Sequence, residues 1–372
     1  MLRWAILLVW ITVAACSQAS SQQVAVSTQS PSHAASTVVS PSPVATPTLG
    51  HSAPSRSDLP VVRVGFSCRL PAVTSSGGGF LSFPDATFAA DPTGGFSQTV
   101  QGGLVTNASP KLQSSPLNGG VFFDAVEQRW LPASDSQVSP DGSTYAYATF
   151  DPSNGDAGHV HIVDIATGAD RIFAAPAPRA PFQGFNVADF TAAGIYLVAN
   201  QVDRLQTGAW LMDPATGTVK ALAQVVNVLR IRNGYAWTLR VDPRDPSPPQ
   251  PGKGTPGDSL VRVDLTSGVE TIWFYRPAEQ VELRGLDSQG GVVVASFQPT
   301  TGIPIETRLV ENAGSAGVLI YSGALGLGAA EGTRLWLEGT TGIYLFSVDQ
   351  GLQKVFEFTS TGGQISPVGP CL

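Results

Sequence analysis

Two histidines come closest to the residue types and spacing of a chemical site in this chain. His159 and His161 are two residues apart, so on a β-strand their side chains point to the same face. Such a pair can bind a transition metal or act as a base. The sequence offers no third ligand beside them. Solvent-facing polar positions on a strand also explain the pair, and we favour that interpretation.

Four arginines could form a binding patch for an anion or an acidic glycan. They lie close together in the sequence, at Arg230, Arg232, Arg240 and Arg262. On adjacent strands their guanidinium groups could converge on one surface. A solvated strand face carries such charges as well, and that is the favoured interpretation.

Two loops resemble ligand-binding motifs only in composition. Asp151, Asn154 and Asp156 suggest calcium, but their spacing does not match an EF-hand loop, and such residues are typical of turns. The Pro-rich insert at 242–258 contains a Gly-Lys pair without the flanking residues that a phosphate-binding loop requires. An exposed extension in the polyproline II conformation explains this insert, although long loops on rigid scaffolds also carry binding function.

The common catalytic motifs are missing from the sequence. It contains neither Gly-x-Ser-x-Gly nor Ser-x-x-Lys, which are typical of serine hydrolases. The formal net charge of −7 makes an anionic nucleic acid an unfavourable partner. The sequence therefore predicts no cofactor, no metal and no nucleic-acid partner.

A repeated hairpin must position any site that the chain carries. An apolar strand, an Asp, a short turn with Gly and a second apolar strand recur at 161–173, 210–222 and 261–275, and more weakly at 344–358. Asp can bond the backbone two residues on, and Gly accepts a positive φ. The apolar residues alternate with a period of two, which indicates strands and no amphipathic helix.

The best copy of this repeat resembles a known family. Residues 139–147 read Ser-Pro-Asp-Gly-Ser-Thr-Tyr-Ala-Tyr, and together with the hairpin turn at 164–168 they resemble the repeat of TolB-type (WD40-like) β-propellers. The segments 191–194 and 287–291 are degenerate versions of its first turn. The resemblance implies four-stranded blades arranged in a ring. We expect no separate N-terminal domain of the TolB kind, so the partners of TolB are not implied.

The spacing of the repeats predicts an all-β, six-bladed propeller within 61–372, since inner strands start about 40 to 55 residues apart. The six units span 69–132, 136–175, 182–224, 226–276, 281–323 and 325–359. The segments 61–68 and 363–371 remain, and strands from both termini often share the closing blade of a propeller. If they form a blade of their own, the count becomes seven.

Cys68 and Cys371 lie in these two remaining segments. Ring closure there would make them neighbours, and an oxidising exterior compartment would favour a disulfide between them. Two free thiols are the alternative. Neither cysteine is a candidate for catalysis.

The first residues have the features of a signal peptide. Arg3 precedes an apolar run at 4–15 that is too short to span a membrane. The Val-Ala-Ala-Cys sequence that ends at Cys16 resembles the lipobox of bacterial lipoproteins. The resemblance implies that residues 1–15 are removed, that Cys16 is acylated, and that the protein is anchored to the outer face of a bacterial membrane. An ordinary cleaved signal peptide with an incidental cysteine is the alternative.

A disordered tether is expected to follow at 16–60. It is rich in Ser, Thr, Pro and Ala and has no aromatic residue, so it cannot bury enough apolar surface to offset its ordering entropy. The sequence thus favours an exported lipoprotein whose propeller binds a protein or glycan without catalysing a reaction. A carbohydrate-active propeller enzyme, with carboxylates at the central channel, and an assembly scaffold are the alternatives.

Substituting Cys16→Ser is expected to abolish membrane attachment, because the acyl chains that anchor the protein need the cysteine thiol. The measurement is partitioning of the expressed full-length chain between detergent and aqueous phases. The variant should move entirely to the aqueous phase. Unchanged partitioning would show that Cys16 is not lipidated.

Overall fold

The computed structural model of this protein describes most of the chain from residue 59 onward. The described residues are 59–99, 103–107, 109–115, 120–150, 158–176, 184–200, 208–223, 225, 228–241, 257–287, 290–359 and 364–372. The predicted signal peptide, Cys16, nearly all of the tether, the 151–156 loop and all but the last two residues of the 242–258 insert lie outside them. No helix among the described residues is long and apolar enough to cross a membrane.

The described chain is built of β-strands. One turn of 3₁₀ helix at Asp135–Gln137 is the helical segment among them. In chain order the strands are β1 Cys68–Thr74, β2 Gly77–Phe83, β3 Thr87–Ala90, β4 Phe96–Gln98, β5 Leu104–Thr106, β6 Ser109–Gln113, β7 Phe122–Asp124, β8 Arg129–Leu131, β9 Thr144–Thr149, β10 His159–Asp164, β11 Asp170–Ala174, β12 Gly184–Thr191, β13 Gly194–Asn200, β14 Ala209–Met212, β15 Val219–Ala221, β16 Val228–Arg232, β17 Tyr235–Arg240, β18 Ser259–Asp264, β19 Glu270–Tyr275, β20 Gln280–Leu286, β21 Val292–Phe297, β22 Pro304–Val310, β23 Val318–Tyr321, β24 Gly326–Glu331, β25 Arg334–Glu338, β26 Gly342–Ser347, β27 Gly351–Glu357 and β28 Ser366–Pro367.

These strands form a seven-bladed propeller. Five blades are four-stranded antiparallel sheets: β28-β1-β2-β3, β12 to β15, β16 to β19, β20 to β23 and β24 to β27. A three-stranded sheet, β9 to β11, forms another blade. The remaining blade is irregular and combines the three-stranded sheet β4 to β6 with the hairpin β7-β8.

The count of seven is therefore confirmed, but the additional blade is not one formed by 61–68 and 363–371 alone: it lies within 69–132, where the preferred count of six merged two blades. Four of the five strands in the irregular blade are only three residues long. Strands this short give almost no alternating pattern, so the sequence did not separate this blade from the one before it. The other predicted units match the observed blades to within a few residues.

Neighbouring blades pack face to face, because alternate side chains of each strand point to opposite sides of its sheet. Ala146 and Val160 of one blade share a buried cluster with Phe185 and Leu197 of the next. Each blade thus contributes apolar side chains to two seams. The core of the protein is divided among these seams.

Four inner strands carry a β-bulge at the same place, which the sequence did not reveal. A bulge adds one residue to a strand and bends it. Pairing with the second strand of the blade skips one residue on the first strand in each case. The skipped residues are Ala188, Leu229, Arg284 and Gly328. At Gly328 an added Cβ would lie 2.8 Å from the carbonyl oxygen of Pro367, so β24 approaches β28 closely there.

The two ends of the folded chain meet in one blade, as expected. Pro367 and Ser366 of β28 pair with Ala72 and Val73 of β1. A disulfide joins Cys68 to Cys371 across 303 residues of sequence, with a Cα–Cα distance of 5.6 Å, within the usual range for such a bond. The N-terminal strand of this blade starts at Cys68, and the segment before it contacts a different blade.

Asp-capped turns connect the outer strands as the repeat predicted. The Asp264 carboxylate accepts hydrogen bonds from the backbone N–H groups of Thr266 and Ser267 at 2.8 and 2.9 Å. Gly268 then adopts a φ of 74°, which a residue with a side chain adopts at a cost. Asp164 and Asp213 cap the equivalent turns in the same way.

Candidate functional site

A groove lies where the segment 62–66 crosses the blade formed by β24 to β27. Its volume is about 550 Å³. One wall is the segment itself, and the other comes from two turns and three strands of the blade, with Thr333, Arg334, Ser347 and Gln353 among the lining residues. The volume falls in the range of small-molecule binding sites.

The segment that forms the first wall is fixed in three places. The Val62 N–H donates a hydrogen bond to the Lys354 carbonyl of β27 at 2.8 Å. Val64 is buried in a cluster with Trp336 and Leu345. The disulfide at Cys68 holds the end of the segment. The groove is therefore part of the folded ring.

An aromatic ring and a guanidinium group lie together in the groove. The Phe66 ring packs near Phe83 and Trp336, with centroid distances of 6.3 and 6.4 Å. The Arg334 guanidinium carbon lies 4.6 Å from the Phe66 centroid, which is a cation–π contact. Phe66 therefore positions Arg334 without using the N–H donors of its guanidinium group.

The polar lining of the groove follows from strand alternation. Leu345 and Ser347 are two apart on β26 and share a face, while Gln353 of β27 pairs with Leu345. Within the described residues, the side chains of Arg334, Ser347 and Gln353 have no hydrogen bond or ion pair. The groove thus presents polar groups that no other described residue satisfies.

His161 lies elsewhere, on β10, in a set of polar contacts. Its Nδ1 is 2.8 Å from Oδ2 of Asp170, and its Nε2 is 3.2 Å from Oγ1 of Thr149. The ring stacks on Tyr147 with centroids 4.5 Å apart. His159 lies on the same strand, opposite Thr149. No group of three His, Cys, Asp or Glu side chains in the described ranges could hold a metal ion.

The predicted arginine patch is divided among different contacts. The Arg232 Nη1 lies 3.5 Å from Oδ1 of the buried Asp189, and the Arg240 Nη2 lies 2.9 Å from Oε1 of Glu270. Arg230 is exposed on β16. Two of the four charges are therefore paired with carboxylates.

Arg262 makes a different kind of contact from the other three. Its guanidinium carbon lies 4.3 Å from the ring centroids of both Tyr235 and Trp273. These cation–π contacts fix the side chain on the face of its blade. A binding role for the four arginines stays a prediction.

Asp189 is the functional candidate that the sequence missed. It lies on β12 just after the bulge and is 1% exposed. Its Oδ2 accepts a hydrogen bond from the backbone N–H of Asn233 in the next blade at 3.1 Å. Burial raises the pKa of Asp189 to about 6, against the opposing effects of Arg232 and Asn233. The residues next to Asp189 in the sequence do not identify it as a functional candidate, because its hydrogen-bond partners are more than 40 residues away.

Phe66 and Arg334 were not predicted as site residues either. The sequence places the segment before Cys68 at the closure of the ring, and Arg334 belongs to no motif. They are brought together by the fold, and neither belongs to a local motif.

Comparison with known proteins finds similar solved structures but no family. No protein-family profile matches the chain, and no curated protein matches it. Solved structures similar to it include an oligogalacturonate lyase in complex with manganese (11% identity, 80% of this chain and 88% of that one, TM-score 0.45) and the β-propeller domain of the Trilobed protease from Pyrococcus furiosus (11%, 79% and 86%, TM-score 0.41). TolB from Acinetobacter baumannii is another (13%, 71% and 68%, TM-score 0.36). With TM-scores below 0.5, these likenesses carry no argument about what this chain does.

Asp189 should make the stability of the protein depend on pH between about 4 and 6. Because its pKa is raised from 3.8 to about 6, the folded state binds more protons than the unfolded state in this window. The free energy of unfolding therefore falls as pH rises through it, by on the order of 3 kcal/mol. Asp189→Asn stays neutral at every pH and should lose this dependence, as measured by denaturant unfolding from pH 4.5 to 7.5.

Asp141→Asn is the matched control for this measurement. Hydrogen bonds from Ser139 and Ser143 lower the pKa of Asp141 to about 2, so its contribution is lost only as pH falls below about 4. This variant should keep the wild-type slope between pH 4.5 and 7.5. If the free energy of unfolding of Asp189→Asn depended on pH as strongly as that of the wild type, Asp189 would not be the source of this dependence.

Proposed function

We propose that this protein is an exported lipoprotein whose propeller binds a protein or glycan at the cell exterior and catalyses no reaction. The observation that carries the proposal is the groove, where Arg334, Ser347 and Gln353 lie beside the Phe66 ring without polar partners among the described residues. Polar side chains that line a concave groove provide specificity when a ligand supplies the hydrogen bonds they lack.

The lipid anchor and tether complete this proposal. Acylation of Cys16 would hold the chain at the membrane, and a flexible tether of about 45 residues would span on the order of 35 Å. That distance allows the propeller to reach ligands in a surrounding cell-wall layer. The groove begins at residue 62, directly after the tether, so its ligand would be bound close to the anchored end of the domain.

A carbohydrate-active enzyme is the second candidate, and Asp189 is the observation that favours it. A carboxyl group with a pKa of about 6 on an inner strand has the acidity that a general acid needs near neutral pH. Both of its oxygens are engaged, one by Arg232 and the other by Asn233. These contacts suit a structural carboxylate that links two blades, so the binding proposal is preferred.

A binding experiment with residues 59–372 tests the proposal. The purified domain is applied to a glycan array and to immobilised envelope proteins, and each bound ligand is then titrated. Arg334→Ala should weaken binding at least about tenfold, which corresponds to one lost charged contact.

Lys220→Ala is the matched control, because Lys220 is an exposed cation on β15, outside the groove. It should bind like the wild type. Equal binding by the Arg334→Ala variant would show that the ligand lies elsewhere. A glycan-cleaving activity that Asp189→Asn abolishes would replace the binding proposal with the enzyme.

A further inference from the structure

We propose that the groove binds an acidic saccharide, a sugar chain whose carboxylate pairs with Arg334. This inference rests on the proposed function and names the chemical class of the ligand. Three observations support it: Arg334 has no acidic partner among the described residues, neutral polar side chains surround it, and the floor of the groove is apolar.

Arg334 differs from most arginines of the described chain in lacking an acidic partner. Carboxylates pair with seven others: Arg63, Arg129, Arg232, Arg240, Arg276, Arg284 and Arg308. Arg334 makes a cation–π contact with Phe66 and has no hydrogen bond or ion pair among the described residues. The Phe66 ring supplies no hydrogen-bonding oxygen, so the N–H edge of the guanidinium group has no acceptor among the described residues. That edge matches a carboxylate with two parallel hydrogen bonds.

The neutral polar residues of the groove match sugar hydroxyls. Thr333 and Ser347 carry hydroxyl groups, and Gln350 and Gln353 carry amides. Each of these groups both donates and accepts hydrogen bonds, and sugar hydroxyls do the same. The Asp349 carboxylate at the exposed rim accepts hydrogen bonds from sugar hydroxyls and donates none. Ligands with many hydroxyl groups can therefore satisfy the whole set.

The floor of the groove is formed by apolar side chains. Val64 and Leu345 are 6% and 4% exposed and belong to a buried cluster of the core. They offer contact surface without a pocket for a large apolar side chain. The Phe66 ring adds an aromatic surface against which the C–H groups of a sugar ring can pack. This arrangement favours a saccharide over an apolar peptide.

Calorimetric titration of residues 59–372 with three probes tests this inference. The probes are a trisaccharide of glucuronate residues, its methyl ester and triglutamate. The ester keeps every hydroxyl and removes the negative charges, and triglutamate keeps the carboxylates without a sugar. The acidic trisaccharide should bind at least about tenfold more tightly than either of the others.

Variants at Arg334 show whether the carboxylate meets that residue. Arg334→Ala should reduce binding of the acid to the level of the ester and leave ester binding unchanged, because the two changes remove the same contact. Arg334→Lys should fall between wild type and Ala, since an ammonium lacks the planar pair of donors. Thermal unfolding of each variant, expected to match the wild type, excludes loss of fold.

Each other outcome overturns the inference in a recognisable way. Equal binding of acid and ester would make the groove a site for neutral saccharides. Equal or tighter binding of triglutamate would make it a site for acidic peptides. Either result leaves the proposed binding function in place. If none of the three probes binds, the proposed ligand class is wrong. The binding function itself would be contradicted only if the domain also bound nothing on the glycan array and none of the immobilised envelope proteins.

Discussion

The structure depends on closing a ring whose first and last strands are far apart in sequence. Every blade buries one face against the blade before it and one against the blade after it. A ring with an open seam would expose two apolar sheet faces. Pairing of β28 with β1, together with the Cys68–Cys371 disulfide, places both ends of the folded chain in one blade and removes that exposure.

The closing seam also builds the groove. Its buried cluster joins Val64, Leu70 and Ile365 from the ends of the folded chain to Trp336 and Val355 of the adjacent blade. The same segment that contributes Val64 carries Phe66, which positions Arg334. Closing the ring and forming the proposed site are therefore one structural event. A ligand that bridges the segment and the blade would in turn stabilise the closed ring.

Local chemistry explains what the sequence could predict. The hairpins could be predicted because the residues that determine each turn are close in sequence. In one of them, Asp264 and Gly268 lie four residues apart and fix the turn without help from distant residues. The disulfide followed from the ring, since Cys68 and Cys371 lie just outside the repeats. The seventh blade was uncertain because most of its strands are too short to show alternation, and its β7–β8 turn combines the Asp of the repeat, Asp124, with Gln128 in place of Gly.

The functional sites could not be predicted in this way, because each depends on contacts between distant residues. Phe66 and Arg334 meet only when the ring closes, and Asp189 is buried by a turn of the next blade. The arginines near residue 240 looked like a patch because they are close in sequence. In the structure Arg232 and Arg240 are paired with acidic groups, whereas Arg334, which has no other arginine near it in the sequence, lines the groove without an acidic partner among the described residues.

The thermal midpoint of residues 59–372 with and without the terminal disulfide tests ring closure most directly. A cross-link over about 300 residues stabilises the folded state by about 5 kcal/mol in the chain-entropy model. A Cys68→Ser/Cys371→Ser variant should therefore unfold about 8 °C lower than the oxidised protein. Reduction of the wild type should reproduce that shift. An unchanged midpoint, with two thiols open to alkylation in the exported wild-type protein, would contradict the account.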